Sequence, residues 1–599
     1  MPAAPDSRTA PEARTRGVER FALLVAAAAS LVLLGTVLWR CRLGFDFTDE
    51  GYYLASVAHP SLYVAGTTEF GFVYHPIFQW VTGTVPGLRR ANVLVTAGLG
   101  WTLCFLLLRR VVVGREVGAA RDNRDLACAA LVLSTSTLAW LNYWLPTPSY
   151  NSLNLQALLL AGIGFILVGS EKPHFGAGGW IVLGASVWLD MMAKPPSGAA
   201  LCVVVALSLA ISGRFNLRRL ALSASAFAAL CLLAAWTLFG SIPGAVERVL
   251  VGYKDVLLLQ AGHTISESFR WDSFDLGAGE THALIAVSLA VFTATWLAQA
   301  RFQPGRILAA AVVLASSLAC VAIVTGRLVP PVSATRYQGL QYAAAPFGAL
   351  AALLAGSRGR LLGPGARERL GLVTCFACLP FAYAFGSNTN YWFVASLAAF
   401  FWVVAGVVLA TAAPAGVTPL RAVLPLAAFA QLGTAIVLFL SMENPYRQTQ
   451  PLWQDRYAIR VAPNGSGLLV SRDFADYIDG LATQAAASGF KPGDPLVDLT
   501  GHYPGMLYLL GAKSIGAPWL IGGYPGSGKL AAAELGRVPR GDLERAWILA
   551  EPAPTRLPTW VLTENGMSFP GGWREVGTIL SPNAEYPEHF VQHLFRPVR

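Results

Sequence analysis

Asp49 and Glu50 are adjacent carboxylates in the stretch Phe45-Asp46-Phe47-Thr48-Asp49-Glu50-Gly51-Tyr52-Tyr53, just beyond the first long apolar segment of the chain. Ionisable groups at a membrane surface are costly and default to a functional role. A positioned carboxylate there can take the proton from an attacking hydroxyl. The same residues also suit a helix start, with Thr48 or Asp49 as N-cap. Asp46, Glu69, His59 and His75 stand in the same loop, among Tyr52, Tyr53, Tyr63, Phe70, Phe72, Tyr74 and Trp80. Other interspan segments supply positive charge: Arg89 and Arg90, Lys194, Arg248, Lys254, Arg270, Arg327 and Arg336. Arginine contacts phosphate in a bidentate fashion and lysine acts as a compact point charge, so this set could cradle an anion beside the carboxylates. Two turns, 142–152 and 386–392 with Asn390, mix amides, hydroxyls and aromatics. Such a mixture suits a sugar, and it equally suits an ordinary Asn/Pro turn.

The elements that must position these residues are membrane spans. With 54% hydrophobic and 13% charged residues and a mean hydropathy of +0.51, the chain reads as a polytopic membrane protein. Apolar segments long enough to cross lie near 21–40, 88–108, 126–143, 151–169, 178–194, 197–212, 219–240, 282–300, 307–326, 339–356, 370–386, 391–410 and 421–441, or about thirteen transmembrane helices. Arg8, Arg14, Arg16 and Arg20 in the N-terminal tail place that tail on the cytoplasmic side, because short cytoplasmic loops retain Lys and Arg. Counting forward, the loops holding Arg109 to Arg124, Arg214 to Arg219, Arg301 with Arg306, and Arg358 to Arg369 fall on the same side.

The expected organisation is a disordered cytoplasmic tail at 1–18, a membrane domain at 19–441 with a long first outer loop at 41–87, and an extracytoplasmic α/β domain at 442–599. In that last domain 467–470, 494–498, 546–549 and 576–579 read as strands, and 473–488 reads as an amphipathic helix. The segment 21–40 reads as a signal anchor, since no small-residue cleavage site precedes Cys41.

Several chemistries are excluded or set aside. The net charge of +10 follows from the cytoplasmic arginines and anionic lipid, and no basic patch with interleaved aromatics argues for nucleic acid. Seven of the eight cysteines lie in apolar spans, and Cys375 and Cys378 lack accompanying histidines, so neither a disulfide framework nor a metal site is expected. Gly523-Tyr524-Pro525-Gly526-Ser527-Gly528-Lys529-Leu530 has the spacing of a phosphate loop, but Leu530 stands where Ser or Thr would hold magnesium. It reads as a Gly-rich turn, with no nucleotide partner.

In combination these features resemble the polytopic glycosyltransferases of the GT-C superfamily, a group that includes protein O-mannosyltransferases and aminoarabinose transferases. The resemblance rests on the Asp49-Glu50 pair after the first span, Tyr52 and Tyr53, His75-Pro76 before an interfacial helix, and Arg89 or Arg90 entering the second span. It implies a family-39-like hexosyl- or pentosyltransferase in a bacterial-type cytoplasmic membrane. Such an enzyme takes sugar from a polyprenyl-phosphate donor and passes it to a lipid, glycan or protein acceptor. By carry-over Asp49 is the base and Glu50 orients it or binds sugar. Lys194, Arg270, Arg336 and Arg90 are the implied phosphate partners, with His75, Tyr53 and Asn390 toward substrate. Family members place a second acid in the next outer loop, sometimes with a divalent metal, whereas 142–154 contains none; no metal ligand is therefore assigned, a divalent metal stays open with Glu69 or Asp46 as the substitute acid, and no other cofactor is expected. The competing reading is a transporter or flippase of a lipid-linked sugar or similar anion, for which Asp190 is the one intramembrane carboxylate.

Overall fold

The structure is a computed structural model that describes residues 9–113, 123–170, 172–260, 264–270, 272, 276–300, 302–332, 338–356, 363, 365–412, 419–461, 465–551, 556–582 and 589–598. In chain order the first helices are α1 (Thr9–Arg40), α2 (Asp49–Ala58), α3 (Phe70–Trp80), α4 (Val85–Leu108), α5 (Asn123–Ser134), α6 (Tyr150–Val168), α7 (Pro173–Ala193), α8 (Pro195–Ile211), α9 (Leu217–Thr237) and α10 (Ile242–Leu258). Long apolar helices follow at Ala278–Gln299, Gln303–Val324 and Pro419–Glu443. Among the described residues eight helices are long and apolar enough to cross a membrane. The other expected spans are also helical, but shorter or broken: α8, Ala344–Gly356, Ala366–Ala384, Phe400–Ala410 and α5. α5 tightens into a 3₁₀ turn at Thr135–Leu141, where Ser134, Thr135, Ser136 and Thr137 each return a hydroxyl proton to a carbonyl three residues back. Hydroxyls that bond their own backbone in this way compete with the regular α ladder.

The bundle has two chemically different ends. At one, Arg306 and Arg421 pair with Glu12 and Glu19, Arg20 pairs with Asp125, and Glu368 sits between Arg110 and Arg214. At the other gather the turns read above as outer. Arg40 reaches Met442, Tyr446 N donates to the Tyr143 carbonyl, and Glu69 N donates to the Met192 carbonyl. The parity of the spans thus puts 41–87 and the C-terminal domain at the same end.

That domain holds a β1 (Tyr457–Val461) and β2 (Ser466–Val470) antiparallel pair, and a five-stranded mixed sheet. The sheet contains β3 (Pro495–Asp498), β4 (Lys513–Ser514), β5 (Trp547–Ala550), β6 (Trp573–Leu580) and β7 (Val591–Pro597), in the order β4-β3-β5-β7-β6. β3 runs parallel to both β4 and β5, while β7 is antiparallel to β5 and β6. Helix Arg472–Ala487, capped by Ser471 on the Phe474 N–H, covers one face.

The first loop is part of this domain's core. Phe45, Phe47, Tyr53, Leu54, Phe70 and Tyr74 are buried in one apolar cluster with Ile459, Leu468, Phe474, Tyr477, Tyr503 and Met506. The Phe47 ring lies 4.9 Å from Phe474 and 5.6 Å from both Tyr477 and Tyr503. The boundary expected at 441/442 therefore divides the chain but not the core. Tyr53, Phe70 and Tyr74 of the first loop are thus core residues.

Candidate active site

Local capping sets the geometry of α2. Asp46 Oδ2 accepts the Glu50 N–H at 3.0 Å, Glu50 Oε2 accepts the Asp46 N–H at 3.1 Å, and Thr48 Oγ1 donates to Asp46. Thr48 occupies the N-cap position without capping through its own side chain, so Asp46 performs the task assigned to Thr48 or Asp49. Two carboxylates in the first turn also favour the positive helix terminus. α2 then meets helix Pro504–Leu509 of the C-terminal domain backbone to backbone. Gly505 N donates to the Phe47 carbonyl at 2.7 Å, and a Cβ on Gly51 would fall on the Gly505 amide.

This frame separates the two carboxylates. Glu50 is 1% exposed and bound by Arg89, with Nη2 to Oε2 at 2.6 Å and Nε to Oε1 at 2.8 Å; it also accepts from the Thr147 hydroxyl. Arg89 uses its remaining donors on the carbonyls of Cys41, Leu43 and Gly44. Glu50 thus closes a fully buried pair with Arg89 at the first turn of α2. Asp49, one residue earlier, remains 24% exposed at its side chain. Its Oδ2 meets Arg447 Nη1 at 3.0 Å, and Arg447 Nη1 also contacts Thr48 Oγ1. Asp46 lies close behind. Burial, and then the charge of Asp49, push its carboxyl up to about 7.

The remaining candidates fall into two groups. Tyr53 is buried 5.9 Å from both Phe70 and Tyr150, and it lies within electrostatic reach of Asp49. Around the turn 386–391, Lys194 Nζ donates to Ser387 Oγ at 2.6 Å and to the Tyr383 carbonyl at 3.2 Å. Arg270 reaches the Asn388 carbonyl at 3.3 Å, and Asn390 caps its helix by accepting from the Phe393 N–H. Lys194, Arg270 and Asn390 are therefore brought together. On the Asp49 side, Tyr150 at the start of α6 packs edge-on against Tyr53. Arg270 also pairs with Asp272 at 2.7 Å.

Two candidates lie elsewhere. Arg90 points outward, with Nε on the Leu38 carbonyl, because α4 turns Arg89, Asn92 and Thr96 inward. His75 has both ring nitrogens engaged: Nδ1 with the Val57 carbonyl at 2.7 Å and Nε2 with Gln79 at 2.8 Å. The acceptor carbonyl fixes the proton on Nδ1, so His75 ties α3 to α2. Arg336 lies outside the described residues. Among the described residues no group of three or more His, Cys, Asp or Glu side chains converges as a metal site.

Sequence reasoning missed Arg447 and left Arg89 open between two arginines. The second had a signal, since Arg89, Asn92 and Thr96 recur at helical spacing as a polar stripe in an apolar span. The first had none, because it depends on a contact across 398 positions. Nearby, Glu69 is held by Arg248 at 2.5 and 3.1 Å, and the same guanidinium lies against the rings of Phe72 and Phe239. Trp519 lies 6.4 Å from Tyr52.

The Gly-rich turn has a structural explanation. Gly526 N donates to the Leu259 carbonyl at 3.3 Å, and a Cβ at Gly526 would strike the Leu258 carbonyl oxygen. The helix that follows, Ser527–Leu535, thereby docks its N-terminus on the end of α10.

No family model and no curated protein matches the chain. Solved structures similar to it include ArnT from Cupriavidus metallidurans bound to undecaprenyl phosphate, with 15% identity and a TM-score of 0.43 over 96% of this chain and 98% of that one. The apo state of the same protein gives 14% and 0.42 with the same coverage. At that identity and TM-score the likeness assigns no residue a role.

Proposed function

We propose that this chain is a membrane glycosyltransferase that moves a sugar from a polyprenyl-phosphate carrier to an acceptor hydroxyl at the end of the bundle bearing the C-terminal domain. The observation that carries this reading is the division of labour at α2. Glu50 is consumed by Arg89, which leaves Asp49 as the partly exposed carboxylate beside an aromatic wall formed by Tyr52, Tyr53 and Tyr150. In the proposed step Asp49 accepts the acceptor proton as the new oxygen–carbon bond forms at the anomeric centre. The bond from that carbon to the phosphate oxygen breaks, and the electron pair leaves on the lipid phosphate. A cation near that oxygen stabilises the departing charge, and Lys194 and Arg270 at the 386–391 turn are the candidates. A single displacement of this kind inverts the anomeric centre. On this reading the N-terminus is cytoplasmic, the C-terminal domain is extracytoplasmic, and the acceptor is a lipid, glycan or protein.

The test is transfer of labelled sugar from polyprenyl-phosphate donors in reconstituted membranes. Asp49→Asn should lower the rate about 10²–10⁴-fold, the usual contribution of a general base; full activity would remove Asp49 from that role. One observation favours a transporter or flippase instead: Asp190 is buried within the bundle, where Ser197 Oγ lies 3.2 Å from Oδ2 and also bonds Asn154. Movement of donor across sealed vesicles without a glycosylated product would select that alternative.

A further inference from the structure

We infer that Arg447, on the segment joining the last span to the C-terminal domain, is a positioning residue that sets the orientation and charge of Asp49. The inference rests on the assignment of Asp49 as the base, and it adds a residue from the far end of the chain to that site. Three independent observations support it.

The contact itself is specific. Arg447 Nη1 approaches Asp49 Oδ2 at 3.0 Å and bonds the Thr48 hydroxyl, so it grips the first turn of α2 at two points. Both partners are about one-fifth to one-quarter exposed, at 20% and 24%, so the pair is neither freely solvated nor sealed. An ionised partner at this distance favours the ionised carboxylate.

Arg447 is also held in place. Its guanidinium lies 4.6 Å from the centre of the Tyr446 ring, that ring packs at 5.3 Å on Tyr143, and Tyr446 N donates to the Tyr143 carbonyl at 3.2 Å. Its backbone sits at φ 53°, a left-handed conformation that residues other than Gly adopt rarely. Such a conformation persists only where the surroundings over-determine it. Here the chain turns sharply between the last span and the domain while sending this side chain back toward α2.

Asp49 needs a compensating charge. Among the described residues, Asp46 on the same loop, Tyr52 and Tyr53 on α2 and Tyr150 on α6 lie within electrostatic reach of it, and Arg447 on the linker pairs with it directly. The neighbouring Asp46 is buried at 1% exposure, behind the first turn of α2. Arg447 favours the ionised form of Asp49, so without it the Asp49 carboxyl would hold its proton to higher pH. A protonated Asp49 cannot act as a base.

The test follows the Asp49 carboxyl directly. Infrared difference spectra of the reconstituted full chain would be recorded across a pH titration, with the Asp49 band identified by its loss in Asp49→Asn. Wild type, Arg447→Gln, Arg447→Lys and Tyr446→Leu would be compared, each checked for a single monodisperse species. Arg447→Gln should move the Asp49 titration up by about one to three pH units, the range expected on losing an adjacent arginine. Arg447→Lys should restore most of the difference, and Tyr446→Leu should fall between. An unmoved titration in Arg447→Gln overturns the inference, and so does a shift that Arg447→Lys fails to reduce. Sugar transfer would be measured on the same samples, and the acid limb of its pH profile should move with the infrared titration. A shifted Asp49 with no transfer by any form would leave the Arg447 assignment standing and remove the glycosyltransferase reading. Should Arg447→Gln not fold, the Tyr446→Leu and Arg447→Lys titrations decide alone.

Discussion

Glu50 and Asp49 sit one position apart, about 100° around α2, and that rotation separates a structural carboxylate from a reactive candidate. Glu50 and Arg89 are each 2% exposed at the side chain. Removing one partner of such a pair leaves a bare buried charge, at a cost of about 3–5 kcal/mol. Glu50→Gln should therefore act through stability: thermal unfolding of the purified protein should fall, and whatever activity survives should keep its pH profile. Asp49→Asn should do the reverse, losing transfer with unfolding almost unchanged. Asp46 supplies a pH dependence. Its carboxyl is pushed up to about 7, first by burial and then by Asp49. A folded-state value above the unfolded one contributes stability at low pH that is lost as pH rises through the folded value. Unfolding measured from acidic to mildly alkaline solution should show stability declining between the ordinary value of 3.8 and about 7 and levelling off above it, and Asp46→Asn should flatten that decline.

Among the elements, α10 ties three parts together. Its polar side carries Arg248, bound to Glu69 of the first loop, and Asp255, gripped by Arg537 of the C-terminal domain at 2.6 Å through both guanidinium nitrogens. Its other side leaves Ile242, Val246, Val249, Leu250, Tyr253 and Leu257 exposed, in line with the exposed Leu233 and Trp236 of α9. An apolar stripe of this kind on a membrane protein suits the lipid interface. Glu534 stands beside the Asp255–Arg537 pair, and burial followed by Asp255 raises its carboxyl to about 8. By the same sign, docking of the domain on α10 should weaken as pH rises through about 8. Hydrogen exchange over Ser527–Leu535 should increase there, and Glu534→Gln should remove the effect.

How much of this was legible differs by element. β2, β3, β5, β6 and helix Arg472–Ala487 fall where alternation and amphipathic spacing predict them. β1, β4 and β7 escaped. β4 has only two residues, and β7 carries the polar Gln592 at a fully buried position, which masks its apolar alternation; their existence is set by pairing with β3 and β5. The Gly-rich turn was recognised as a turn, but its reason, a helix terminus resting on the Leu258 carbonyl, is a tertiary contact that local sequence does not encode.

At the scale of the whole molecule, the membrane bundle and the C-terminal domain are not independent parts joined by a linker. Phe45, Phe47 and Tyr53 from the first loop share one apolar core with Phe474, Tyr477 and Tyr503. The α2 crossing has no room for a side chain at Gly51 or Gly505. Leu43 bridges to Leu469 of β2, and Leu469 N donates to the Arg42 carbonyl at 2.9 Å. Charge segregation across the bundle was readable from sequence because loop arginines report topology directly. The shared core was not, since its halves lie about 400 positions apart in a pattern that each explains locally. The consequence is testable. If the domain were a separate acceptor-binding module, a chain ending at Glu443 would keep α2 and α3 folded. With a shared core, that truncation strips the apolar cover from Phe47 and Tyr53 and removes Arg447 from Asp49. Protease should then cut within 41–87 in the truncated chain while sparing it in the full one. Gly51→Ala should reproduce the cutting without any truncation, because its Cβ would displace the Gly505 backbone. Intact 41–87 in both variants would show that the loop folds on the bundle alone, and the C-terminal domain would then be a cover rather than a part of the site.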